Sequence, residues 1–439
     1  MKNIYKIFIP MIIFAGLFLS CDDELNQLPY DEFATENAYV TAQDFENGLR
    51  GVYSALTRGG LYGSSDAGSL LSAPDVLADN VTLSQRGRFS KRTLHDYEYN
   101  SNSTLGGTYS DAYALIFRAN QILFYVQNFE GESKNNIIAE AKALRALAHF
   151  DLLQDYGQHF ITGQGGASSL GVPYVKTYKD PANLEPARGT VVSNIGDIAA
   201  DLTSAIGMMD DSFNVSSSYM SKAGAYAILA RATLYAGSVD PSLYATADSA
   251  AKWVIANSGA SPVSASGFAS SYTTDNASNS LFELAFSGTD SRGINGIAYI
   301  LRGTSYGDVR ILTGDGPNPD LLDIYGADDV RGASNMIGTA QGYPTMLGKF
   351  PSMNGADNVT LFRVEEMHLI AAETSLRAGN TADALTYLNN IPAIRGLGAG
   401  YYASATLENI LEERRKEFAF EGLRFHDLSR MGMDMPQID

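Results

Sequence analysis

Apolar residues recur every three or four positions over several long stretches of this chain, the spacing of one face of an α-helix. Across 137–157, Ala141, Leu144, Ala148, Leu152 and Tyr156 form one stripe. A second row, Ala143, Leu147, Phe150 and Leu153, widens it, and Gly157 is placed to end the helix. The stretch 109–129 has the same character and is expected as its antiparallel partner. Stretches 221–237 and 244–257 form another pair, joined at Asp240-Pro241. Alanines on the shared faces let two helix backbones approach closely. Further on, Val364, Met367, Ala371, Thr374 and Ala378 share a face. Gly379-Asn380 stops that helix, Thr381 is placed to cap the next, and Ala384, Leu385, Leu388 and Ile391 follow. Helix, Gly-Asn turn and alanine-rich helix make the pattern of a tetratricopeptide repeat. Thr406 is placed to cap a final helix with Leu407, Leu411 and Phe418 inward.

The period fails in two places. From about 258 to 358, serine, alanine, threonine and asparagine dominate first and glycine later, with short apolar runs such as 281–286 that suit strands. A comparable irregular stretch, 59–102, follows a first helix at about 42–56. The expected fold is mainly α: irregular tetratricopeptide-like helical hairpins with a loop-rich mixed α/β insert. Loops carried on a rigid scaffold are where a binding surface is expected.

The amino terminus has a different pattern. Lys2 and Lys6 lead into an apolar run, 7–19, then Ser20, Cys21 and the acids Asp22, Asp23 and Glu24. A basic start, an apolar stretch and a small residue before a cleavage point describe a secretory signal. The run is shorter than the roughly 20 residues that span a bilayer. Leu19-Ser20-Cys21 resembles the lipobox of bacterial lipoproteins, which implies a signal peptide over 1–20 and acyl chains on Cys21. Residues 21–31 then read as a lipidated tether, and 32–439 as one binding domain. The acids beside the cysteine resemble a surface-export signal.

The formal charge is −18, and −20 once the two lysines of 1–20 are removed. That balance argues against nucleic acid as a partner. Cys21 is the only cysteine, so no internal disulfide forms and stability rests on packing. The five histidines are scattered without zinc-ligand spacing, and neither a phosphate-binding loop nor a nucleophile elbow occurs. The run 314–320 is glycine- and aspartate-rich without the spacing of a calcium loop. No cofactor is expected.

Residues 412–430 (EERRKEFAFEGLRFHDLSR) closely resemble the carboxy-terminal hallmark of SusD/RagB-type lipoproteins. Residues 139–157, Gly171-Val172-Pro173-Tyr174 and 362–379 fit the same family. Tyr109 stands where many relatives carry tryptophan, and the tail lacks their Pro-rich ending. The resemblance implies an outer-membrane lipoprotein whose tetratricopeptide helices support a loop-built, non-catalytic glycan-binding face. It also implies a SusC-like, TonB-dependent transporter as partner, on which the protein acts as a lid. Competing readings are a surface glycosidase using paired carboxylates, a structural or adhesive lipoprotein, and capture of peptide. The charges of 414–430 read as exposed structural ion pairs, and His149 and Asp151 as the polar side of one helix.

Sugar recognition pairs flat aromatic faces with amides, carboxylates and arginines. The single tryptophan, Trp253, sits on a helix face, so a platform must come from the 25 tyrosines and 20 phenylalanines. Candidates in the first irregular stretch are Phe89, Tyr97 and Tyr99 with Asp79, Asn80 and Arg88. In the insert they are Tyr272, Tyr299 and Tyr306 with Arg302 and Arg310.

Overall fold

Among the described residues, ten helices of seven to twenty-three residues carry the fold. The computed structural model describes residues 38–63, 69–84, 87–98, 107–158, 165–182, 184–214, 216–290, 292–302, 307–314 and 319–435. The signal segment, Cys21 and the tether lie outside the described residues, as do Tyr99 and Tyr306.

The helices are α1 (Ala42–Leu56), α2 (Thr108–Tyr125), α3 (Lys134–Tyr156), α4 (Val191–Met208), α5 (Lys222–Ala236), α6 (Tyr244–Asn257), α7 (Val364–Arg377), α8 (Thr381–Pro392), α9 (Leu407–Phe418) and α10 (Arg424–Arg430). From α1 to α6 each packs on its sequence neighbour, and α6 packs on α7 across the insert. Helix starts follow side-chain chemistry. Thr41 and Asp44 form a reciprocal capping box on α1, and Thr190 and Ser193 do so on α4. At α8 the cap is Asn380 rather than Thr381, because Gly379 takes φ +81° and turns the chain one residue earlier.

The sequence reading assigns nothing to α4, although Val191, Ile195, Ile198, Leu202 and Ala205 follow the helical period and are buried. Helix α3 is buried on nearly every side, so its polar residues are interior as well. Arg145 on α3 grips Asp201 on α4 with two bonds of 2.9 and 2.7 Å and also donates to Asn120 on α2. His149 and Asp151 are buried, not on a polar side. His149 stacks on Tyr174 at 3.8 Å and accepts from the Val175 N–H at 3.0 Å. Burial lowers its pKa to about 3, so the ring is neutral.

The six short strands among the described residues pair in twos. β1 (Val81–Leu83) lies antiparallel to β3 (Val309–Ile311), β2 (Ser280–Leu284) to β6 (Val359–Arg363), and β4 (Ile337–Ala340) to β5 (Tyr343–Met346). The β2–β6 pair clamps the two ends of the insert together just before α7. The β4–β5 hairpin turns through Gln341 and Gly342, both at positive φ, as a tight hairpin requires.

The charges near the carboxy terminus differ most from expectation. They form a buried network rather than exposed pairs. Glu413, Glu417 and Glu421 recur every four residues and face the insert. Glu417 accepts from Arg331 at 3.0 Å, Arg363 at 2.5 Å and Arg395 at 2.6 Å. Arg331 also holds Glu413 and Asp329, while Lys349 reaches Glu421. These guanidinium groups hold the Glu417 carboxyl well below the usual carboxylate range against the opposing effect of burial.

Candidate ligand-binding face

The β1–β3 pair joins the two irregular stretches, with Val81 opposite Ile311 and Leu83 opposite Val309. Side chains extend the join. Arg88 donates to Asn295 at 2.6 Å and to the buried carboxylate of Asp308 at 2.8 Å, and the Ser90 N–H reaches the other Asp308 oxygen at 2.7 Å. Arg292 donates to the Thr57 carbonyl at 2.6 Å. The one-turn helix at 297–301 ends beside this knot, since the Asp308 N–H donates to the Ile300 carbonyl.

Two aromatic residues of the first stretch have left-handed backbone, Phe89 at φ +58° and Tyr97 at φ +54°. Such conformations cost about 1–3 kcal/mol each and persist where the surroundings over-determine them, often at functional sites. The Arg92 guanidinium lies 4.7 Å from the Phe89 ring centroid. Tyr97 is 41 % exposed, with its hydroxyl anchored on the Leu77 carbonyl. Its ring is therefore presented to solvent from a fixed base.

The other candidates divide. Asp79 and Asn80 are buried and belong to the frame. Arg424 grips Asp79 with two bonds of 2.6 Å, and Arg415 donates to Asn80 at 2.9 Å. Their place as ligand-reading groups is corrected by that burial; they tie the first stretch to α9 and α10. Tyr272 turns inward, its hydroxyl donating to Glu421 at 3.1 Å, and burial raises its pKa well above 10. The Arg310 guanidinium lies over the Tyr343 ring, 4.3 Å from its centroid. Arg302 donates to the Phe350 and Pro351 carbonyls. Tyr299 is half-buried on the one-turn helix. The structure thus brings Arg88, Phe89, Tyr97 and Tyr299 into the region of the join, and spends Asp79, Asn80 and Tyr272 inside. Trp253, half-buried, stacks on Tyr226 at 4.0 Å, away from the join on α5 and α6.

Sequence reasoning missed Asn295 and Asp308, which fix Arg88. Their partners lie across the chain, and only the β1–β3 register reveals them. A small cavity of about 30 Å³ lies between the two stretches, lined by Tyr62, Phe286, Arg292, Ile297, Phe350 and Asp357 among others. It has room for about one water molecule rather than a sugar ring. A hydrolytic pair would need two carboxyls flanking a cleft. Asp151, whose pKa burial raises to about 8, instead directs both oxygens to the Tyr62 hydroxyl at 2.9 and 3.0 Å. Among the described residues no group of three His, Cys, Asp or Glu side chains is placed to hold a metal, and no helix is long and apolar enough to cross a membrane.

Comparison with known proteins agrees with this architecture. Residues 30–234 match a SusD-like family described as starch-binding and associating with the outer membrane, and residues 333–437 match the SusD family itself. SusD-like protein P2 of Formosa agariphila is 24 % identical over 97 % of this chain and 90 % of its own length. A SusD superfamily structure from Bacteroides thetaiotaomicron superposes with a TM-score of 0.77 at 25 % identity, covering 90 % of each chain. Surface glycan-binding protein A from Bacteroides fluxus shares the fold, with a TM-score of 0.71, 20 % identity and coverage of 90 % and 89 %. With its hairpin scaffold, clamped insert and buried carboxy-terminal hallmark, the chain belongs to the SusD family.

Proposed function

We propose that this protein captures a neutral or weakly charged glycan at the cell surface without cleaving it. In this reading it is anchored in the outer membrane through acylated Cys21 and hands its cargo to a SusC-like, TonB-dependent transporter. The observation that carries the reading is the β1–β3 join, which brings the two aromatic-bearing irregular stretches side by side. The name of the Bacteroides fluxus neighbour supports a glycan as ligand, and the family description supports the outer membrane. Hydroxyl-rich ligands exchange water hydrogen bonds for protein ones at a net gain of about 0.5–1.5 kcal/mol each. Affinity therefore falls in the range of about micromolar to millimolar. A glycan array followed by calorimetry tests the binding, and release of shorter sugars by the purified protein would establish the glycosidase reading instead. Mild-detergent pull-down from native membranes tests the partner: a large β-barrel is expected, and repeated recovery of the protein alone counts against the pairing. Mass spectrometry of the native amino terminus tests the anchor, which an unmodified Cys21 would refute.

A further inference from the structure

A second concavity lies away from the β1–β3 join. Helices α1 and α3 and the loop before α5 enclose a cleft of about 240 Å³. That is slightly below the roughly 300–1,000 Å³ of drug-sized pockets, and suits one small group. Its floor is Glu140, only 4 % exposed. The Tyr53 hydroxyl donates to one Glu140 oxygen at 2.5 Å and the Asn136 amide to the other at 2.9 Å. Leu49 and Ile137 form apolar wall, and the exposed rings of Phe213 and Tyr219 stand at the rim.

Glu140 has only neutral donors and forms no ion pair among the described residues. The buried acids Asp75, Asp151 and Glu283 share that company, and Glu140 adds to it a place in the lining of a cleft. A buried carboxylate without a cation is costly. The surroundings do not repair this. From α1 come Glu46 and Arg50, both exposed on the rim; from the loop come Asp210, Asp211 and Tyr219; Lys222 opens α5 beside Asp210. Burial raises the Glu140 pKa to about 7, against the hydrogen bond from Tyr53.

We propose that this cleft binds a primary alkylammonium group, the chemistry of a lysine side chain, with its stem against Leu49, Ile137 and Phe213 and its nitrogen at Glu140. An ammonium brings a charge and three donors, and an aromatic face attracts it further. A divalent ion is the poorer fit, because no cluster of three metal-ligating side chains is present among the described residues. The proposal is independent of the glycan reading. Its sign with pH follows directly. An alkylamine stays charged up to about pH 10.4, while Glu140 must lose its proton to pair with it. Affinity therefore rises as pH passes upward through about 7.

The test is calorimetric titration of the detergent-solubilised full chain with Nα-acetyl-lysine amide, pentylamine and the uncharged Nα-acetyl-norleucine amide. Both amines bind, the norleucine amide binds at least about tenfold more weakly, and amine affinity rises severalfold between about pH 5.5 and about pH 8.5. The tighter of the two amines identifies the source, peptide-borne lysine or a free amine. Glu140→Gln abolishes both the discrimination and the pH dependence. Phe213→Ala, at an exposed ring, weakens binding by about two- to thirtyfold without changing the fold. Equal affinity for the lysine and norleucine amides, or pH-independent amine binding, overturns the proposal. If Glu140→Gln does not fold, the wild-type pH profile and Phe213→Ala decide the matter.

Discussion

Glu417 shows how much of this fold rests on single side chains. Three buried arginines converge on it, so removing its charge takes one carboxylate from each of them at once. Glu417→Gln is expected to cost about 3–5 kcal/mol, read by urea denaturation near neutral pH. Because its pKa is depressed, this stabilisation is complete above the unfolded value of about 4.3 and is lost only as pH falls through the folded value. The deficit of the variant therefore shrinks in strong acid. His149 has the opposite chemistry and a distinct window. Its folded pKa is about 3, against about 6.5 when unfolded, so between those values the unfolded chain holds the extra proton. Stability falls as pH drops across that interval and is fully restored above it. His149→Gln should flatten the melting-temperature profile between about pH 6.5 and 4. At this scale the sequence was least informative. Four-residue spacing placed Glu413 and Glu417 on one face, but their partners Arg331, Arg363 and Arg395 come from elsewhere in the chain, so helix-surface rules led to exposed pairs.

Elements were far more legible. Helices α1 and α6 fall where their apolar period places them, and α5 agrees to within a residue at each end. Helix α4 escaped because Gly196, Gly207 and scattered serines dilute a period that is nonetheless present. The insert was recognisable as irregular, and β2 lies on the apolar run expected of it, but strand partners depend on register and could not be read. The turn between α9 and α10 offers a test at this scale. Gly422 has φ +77°, and a Cβ there would sit 2.2 Å from the Leu70 carbonyl oxygen. Gly422→Ala combines left-handed strain with a backbone clash and should lower stability by at least about 1–3 kcal/mol, measured as melting temperature. Full retention of that temperature would show the turn to be adaptable.

For the whole molecule, the scaffold and its likeness to a family were visible in the chain, while the face was visible only as two tyrosine-bearing stretches. Which side chains point outward depended on the C-terminal helices: Asp79 and Asn80 were drawn inward by Arg424 and Arg415, partners more than three hundred residues away. The join itself can be probed. Arg88→Ala leaves the buried Asp308 carboxylate with the Ser90 N–H and without its guanidinium, a local loss of about 1–3 kcal/mol. Amide exchange should quicken in β1 and β3 while the helical core keeps its protection, because proteins open in local cooperative units. Tyr97→Ala, at an exposed ring, should weaken glycan binding severalfold and move the melting temperature little. Unchanged affinity would remove Tyr97 from the face.

The bond between Arg424 and Asp79 spans 345 residues, and that between Asp75 and the Phe420 N–H spans as many. Contacts so distant in sequence are slow to form, because the loop they close is long. The segment that carries β1 therefore waits, during synthesis, for the last helices to emerge. That first stretch stays unanchored until nearly all of the chain has been made. A chain cut after Ala405 should expose apolar surface to a hydrophobic dye and fail to protect its first hundred residues from protease, although most of its helices are encoded.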